Sequence, residues 1–146
     1  MKQITSYKTI EAKSEGFFKD RGSKFYGFAF PVNNEEEIEI HRENLRKAYH
    51  DARHHVYAFR LGRSGETYRA SDDGEPSNSS GPPVLGQIKS AELTYVLVVV
   101  IRYFGGTKLG VPGLINAYKT AAEDALNNAN IITKRIKTKI KLFYGY

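Results

Sequence analysis

Cysteine is absent from the 146 residues, which removes disulfides, thiol nucleophiles, zinc ribbons and iron–sulfur sites from consideration. Long apolar runs are missing as well. The longest, residues 96–101, is far too short to cross a bilayer, so no membrane partner is expected. Met1-Lys2-Gln3-Ile4-Thr5-Ser6 holds no apolar core of a signal peptide, which makes a cytoplasmic location the expectation. There is no internal repeat, coiled-coil heptad or low-complexity tract. Acids are absent from residue 130 onward, where Lys134, Arg135, Lys137, Lys139 and Lys141 stand. These five cations account for nearly all of the formal net charge of +6, so residues 1–129 are close to neutral. The positive balance therefore describes one basic edge rather than a basic body.

What is present is a globular composition, 40% apolar and 12% aromatic, in a chain of one domain's length. A chain of this size buries roughly 68–70% of its unfolded surface and needs no covalent staple. Residues 7–14 and 15–20 read as extended pieces. The Asp20-Arg21-Gly22-Ser23 turn joins the second of them to an aromatic strand over 24–32. Asn33-Asn34 followed by Glu35-Glu36-Glu37 is a helix start, and apolar spacing carries that helix to about residue 51. A second hairpin occupies 56–61 and 67–70. An irregular loop covers 71–80, and Pro82-Pro83 opens a short helix. Residues 95–101 form a central strand, 102–110 a glycine-rich exit, and 111–130 the longest helix and its end. Residues 133–144 alternate as a last strand, with Arg135, Lys137, Lys139 and Lys141 on one side. Interspersed helices and obligatory hairpins predict an α+β class, with helices packed on one face of a mixed sheet.

Three places draw chemical interest. Asp72-Asp73-Gly74-Glu75 concentrates carboxylates that could hold a divalent cation or share a proton, yet it lacks EF-hand spacing; the plain alternative is a solvated turn with Gly74 at positive φ. Residues 104–110 leave a strand and enter a helix as a phosphate-binding loop does, but match neither Gly-x4-Gly-Lys-Ser/Thr nor G-x-G-x-x-G; tight turns and close packing explain the glycines equally. His50 and His54 stand four apart, with His41 and His55 nearby, and no His-Glu-x-x-His motif occurs. Ser77, Ser79 and Ser80 lack a nucleophile-elbow context. The basic strand from residue 134 either tracks a phosphate backbone or guards a sheet edge.

Read together, several motifs resemble the Impact (YigZ) family. They are Asp72-Asp73-Gly74-Glu75-Pro76-Ser77, Gly81-x-Pro83-x-Leu85, and Val98 through Arg102-Tyr103-Phe104-Gly105-Gly106-x-Lys108-Leu109-Gly110 to Gly113-Leu114 and Ala117-Tyr118. Ser23-Lys24-Phe25 and His54-x-x-Tyr57-Ala58-x-Arg60 add to them, and the resemblance covers about residues 15–130. It implies a fold like the second domain of ribosomal protein S5 and domain IV of elongation factor G. It also implies a link to translational control, which eukaryotic members exert on a starvation-responsive kinase through its ribosome-associated activator, with the help of an RWD domain absent here. Bacterial members continue into a ferredoxin-like domain, so the chain divides as 1–132 and 133–146, the latter being the start of that domain. The sequence departs from the family at Asn78-Ser79-Ser80, at Pro112, and at Asn116, which replaces a usual arginine.

The expected function is a binding module of translation or its regulation, contacting RNA, the ribosome or a translation-control protein. Its site is a groove where the 72–81 loop meets the 102–113 loop. Asp72, Asp73 and Glu75 order that groove by pairing with Arg102 or Lys108; Arg60, Arg102 and Lys108 meet phosphates or an acidic partner; Tyr103 and Phe104 stack or pack. No catalytic or metal-ligating residue and no cofactor is assigned. The alternatives are a metal-assisted hydrolase using the acidic loop with His54, and an adaptor that binds proteins alone.

Overall fold

The computed structural model describes residues 2–139, with side chains over 6–136. In chain order the elements are β1 (Lys2–Ile10), β2 (Ser14–Asp20), β3 (Ser23–Pro31), α1 (Glu35–Ala48), β4 (His54–Leu61), β5 (Thr67–Ser71), α2 (Gly81–Ser90), β6 (Val96–Tyr103), α3 (Gly110–Asn127) and β7 (Ile131–Lys139). The main sheet has the order β2-β3-β6-β4-β5, and each of its ladders is antiparallel. β1 and β7 form a separate antiparallel ribbon, in register from Lys2↔Lys139 to Ile10↔Ile131. Ile10 is buried in the core, and a bridge from Lys8 to Leu93 ties the ribbon to the body. The expected last strand thus begins two residues early. Its residues 140–144, Lys141 among them, lie outside the described residues.

The α+β class is as expected, and two details differ. The five-stranded sheet is antiparallel rather than mixed, because β6 inserts between β3 and β4. Those two strands run parallel without touching, and β4 separates β5 from β6 in the same way. The helices also occupy both faces, not one. Val96, Val98 and Val100 pack with Phe25, Val56 and Ala58 under α2 and α3. Leu97, Val99 and Ile101 pack with Phe28, Tyr57 and Phe59 against Ile38 and Leu45 of α1. A strand buried on both faces needs an unbroken apolar run, and residues 96–101 supply it. The crossovers through α1 and α2 would share a hand only on the same face, so one of them is the rare left-handed kind.

α1 is capped as its sequence dictates. The Asn34 side chain accepts the Glu37 N–H at 2.9 Å, three acids fill the first turn, and Arg46 and Lys47 fill the last. It ends at Ala48, short of residue 51, because Tyr49 turns out of helical geometry. The Tyr49 ring packs on Tyr26 and Phe28 instead. His50 therefore shares no helix face with His54.

Candidate functional site

In β4 and β6, residues of even number face α2 and α3. His54 and Arg102 both lie on that face, directly opposite each other in the ladder, at the rim where the sheet stops. Two loops close over this rim. The first, 72–80, leaves β5 and returns as α2. The second leaves β6 after Tyr103 and enters α3 at Gly110.

The acidic loop is held by its own carboxylates. Asp72 accepts the N–H groups of Asn78 (2.8 Å), Ser80 (3.1 Å) and Gly81 (2.8 Å). It thereby caps α2, whose N-cap Ser80 makes no side-chain cap bond. Asp73 accepts the His55 N–H at 2.6 Å, and its carbonyl lies 2.8 Å from His54 Nδ1. A carbonyl can only accept, so that nitrogen carries the proton. The turn between them has φ of 41° at Asp73 and 85° at Gly74, the left-handed geometry expected of this glycine.

Glu75 points the other way, inward. Both its carboxylate oxygens receive Arg102 Nη1, at 2.9 and 3.0 Å. The Tyr118 hydroxyl of α3 donates to it at 2.5 Å, and His54 Nε2 lies 3.6 Å away. Glu75 and Arg102 are only 8% and 7% exposed. Burial, reinforced by the adjacent Glu75 charge, holds the Tyr118 hydroxyl protonated well above the usual phenol range. The buried Ser23 hydroxyl receives Arg102 Nη2 (3.4 Å) and the Gly105 N–H (3.1 Å), which pins the second loop to the β2–β3 turn. A side chain at Gly105 would strike the Gly22 backbone at 2.0 Å, so this approach requires glycine.

The two loops meet at this rim, and the side chains they bring there take different parts. Of the acids, only Glu75 pairs with a cation across the loops; Asp72 and Asp73 bind backbone N–H groups, because the loop's turns point those amides inward. Arg102 is paired with Glu75 and nearly dry, and its Nε has no hydrogen-bond partner among the described residues. Lys108 is exposed and unpaired among the described residues. Tyr103 lies on the opposite face from Arg102 but still lines the cleft, donating to Asp51 at 2.7 Å. Burial first, and then that hydrogen bond, pushes its hydroxyl up to about 12. Arg60 does not join. It sits on the same face at the far end of β4, about 20 Å away at the usual strand rise.

A cleft of about 590 Å³ opens beside this cluster, lined by Arg53, His54, Tyr103, Phe104 and Lys108. A second hollow, of about 360 Å³, lies across Phe104 and Lys108 and is walled by Pro76, Leu109, Val111 and Leu114. Phe104 is 57% exposed on the ridge between them. The sequence offered Phe104 only as a packing or stacking group. Sequence reasoning missed Tyr118 and Ser23 as members of the buried cluster, although both lie within the quoted motifs. Among the described residues, no group of three His, Asp or Glu side chains converges as a metal site would require. The acidic loop with His54 therefore makes no such cage.

Comparison with known proteins places the arrangement in a family. The model of the Impact N-terminal domain matches residues 21–126. The IMPACT family member YvyE of Bacillus subtilis is 33% identical over 133 residues, covering 91% of this chain and 61% of that protein. An IMPACT family member of Thermus thermophilus is 44% identical over 111 residues, covering 73% of this chain and 56% of that protein. Among solved structures, a crystal structure of a hypothetical protein superposes with a TM-score of 0.84 at 28% identity, covering 89% of this chain and 64% of that one. The two-domain translational regulator Yih1 superposes at 0.51 with 26% identity, covering 82% of this chain and 48% of that one. The chain thus spans about three fifths of the length of the bacterial relatives. On the family match and the shared fold, the chain belongs to the IMPACT family and carries its Impact N-terminal domain.

Proposed function

We propose that this domain is a protein-docking module of translation control, and that its partner seats in the groove where the 72–81 and 102–113 loops meet. The observation that carries the reading is the ridge of Phe104 and Lys108, an exposed aromatic and a free cation mounted on a buried, ion-paired Glu75–Arg102–Tyr118 cluster. A rigid base beneath an exposed aromatic is how interfaces concentrate binding energy. The apolar hollow of Leu109, Val111 and Leu114 suits a protein segment better than a nucleic acid. The translational role of the neighbouring Yih1 structure supports the setting.

The test is co-sedimentation with ribosomes still carrying their associated factors, compared with salt-washed ribosomes. The wild-type chain is expected to sediment with the unwashed particles. Phe104→Ala with Lys108→Ala should weaken that binding about 30-fold or more, the loss of a central anchor. Equal sedimentation of variant and wild type would overturn the groove. Binding to washed ribosomes that fell steeply with salt would make RNA its occupant.

A further inference from the structure

Arg60 and the basic edge are the two sequence features that the groove leaves unused, and the fold brings them together. At the far end of β4, a cleft of about 390 Å³ opens between the β4–β5 turn, the end of α2 and the β1–β7 ribbon. Lys8 of β1, Arg60 of β4, Arg63 of the turn and Lys89 of α2 line it, against the single carboxylate of Glu92. Among the described residues, none of these four cations makes a salt bridge.

Arg60 is fixed without a salt bridge, although the Glu66 carboxylate of the same turn lies within reach of its charge. Its guanidinium donates to the carbonyls of Gly65 (3.0 Å), Leu93 (3.3 Å) and Ser64 (3.4 Å), and to no carboxylate. A side chain at Gly65 would lie 2.0 Å from Arg60 Nε, so the turn leaves room for the guanidinium. Lys89 is similarly steadied without losing charge, its ammonium 3.7 Å from the centre of the Tyr68 ring. Beyond Thr133, which lines the cleft, Arg135 lies on the same face of β7, is exposed, and extends the positive surface. Arg135 and Arg60, far apart in sequence, thus belong to one electrostatic feature.

We propose that this cleft binds the sugar–phosphate backbone of single-stranded RNA. Positioned cations that outnumber the nearby carboxylates recognise polyanions, and the hydroxyls of Ser6 and Thr133 in the lining add phosphate donors. The cleft is concave, and apart from Tyr7 no large apolar side chain lines it, whereas membrane association needs apolar groups to insert. The Tyr7 ring, the one aromatic in the lining, is engaged with Tyr95 at 5.1 Å between centroids, so the cations rather than stacked bases supply the recognition. Recognition is therefore of the backbone and independent of sequence. The site stands apart from the groove, and neither depends on the other.

The experiment is fluorescence anisotropy of the full chain with a labelled oligouridylate of about twelve nucleotides. With three or four phosphates neutralised, affinity should fall roughly 20- to 50-fold between about 50 and about 200 mM salt, following the single-strand slope of about −0.7 per contact. Arg63→Ala with Lys89→Ala should flatten that slope by about 1.4, and the double reversal to glutamate should weaken low-salt binding at least about tenfold. Both side chains are exposed, and an unchanged thermal melt checks that the variants fold. Oligoadenylate should bind within about threefold of oligouridylate, and the Phe104→Ala, Lys108→Ala protein should bind both as wild type does. A flat salt response, or affinity untouched by the Arg63 and Lys89 changes, would overturn the proposal. So would tighter binding to vesicles rich in phosphatidylserine, lost in the same variants, which would make the cleft a membrane contact.

Discussion

The two ends of β4 place an arginine at the sheet rim in opposite ways. Beside His54, Arg102 is nearly dry and paired with Glu75, which also accepts from the Tyr118 hydroxyl. At the other end, Arg60 is bound only by carbonyls and keeps its charge beside further cations. Charge in the sequence is therefore not charge available to a partner. The motif that looks most reactive, the acidic loop, is the one whose charges are used internally, whereas Arg60 and Lys89 are free to act on solvent.

That contrast fixes the sizes of two substitutions. Arg102→Ala strands a buried carboxylate and should lower unfolding free energy by about 3–5 kcal/mol. Arg60→Ala frees carbonyls near a water-filled cleft and should cost only about 1–2 kcal/mol. Urea unfolding of both variants checks the order, and equal losses would erase the distinction between the two ends.

A smaller effect lies in alkaline solution. Tyrosines of the unfolded chain release their protons near the ordinary value of 10.0, while folded Tyr118 and Tyr103 hold theirs to higher pH. The stability they contribute is thus complete below that value and drains as pH rises above it. Urea midpoints followed from neutral pH upward should decline beyond about pH 10, and Tyr118→Phe should make the decline visibly shallower. An unchanged decline would mean that the hydroxyl is not sealed against Glu75.

Much of this fold was legible in the sequence because its signals are local. Asn34 with three following glutamates starts α1, Pro82-Pro83 opens α2, and the unbroken run at 96–101 marks the central strand. The face chosen by α1 was not legible, because the spacing of Ile38 and Leu45 says which side of the helix is buried but not which side of the sheet buries it. The pairing of β1 with β7 was hidden for the same reason, since partners more than 120 residues apart leave no mark in either strand. At the site, the two loops carry recognisable motifs, one acidic and one rich in glycine. The partners within the site were not legible: Asp72 and Glu75 are near neighbours of one chemical kind, and only the turn at Asp73 and Gly74 sends one to backbone amides and the other to Arg102. Arg60 shares a motif with His54, but the strand between them carries the two residues to opposite ends of the sheet.

The central claim is that Glu75 and Arg102 weld the two loops into one base for the Phe104 ridge. A double-mutant cycle of Glu75→Ala and Arg102→Ala, read by urea unfolding, tests it most directly. The double variant is predicted to lose at least about 1 kcal/mol less than the two single losses combined, because each single change leaves a buried charge alone. Losses that simply add, to within about 0.5 kcal/mol, would show that the pair does not join the loops.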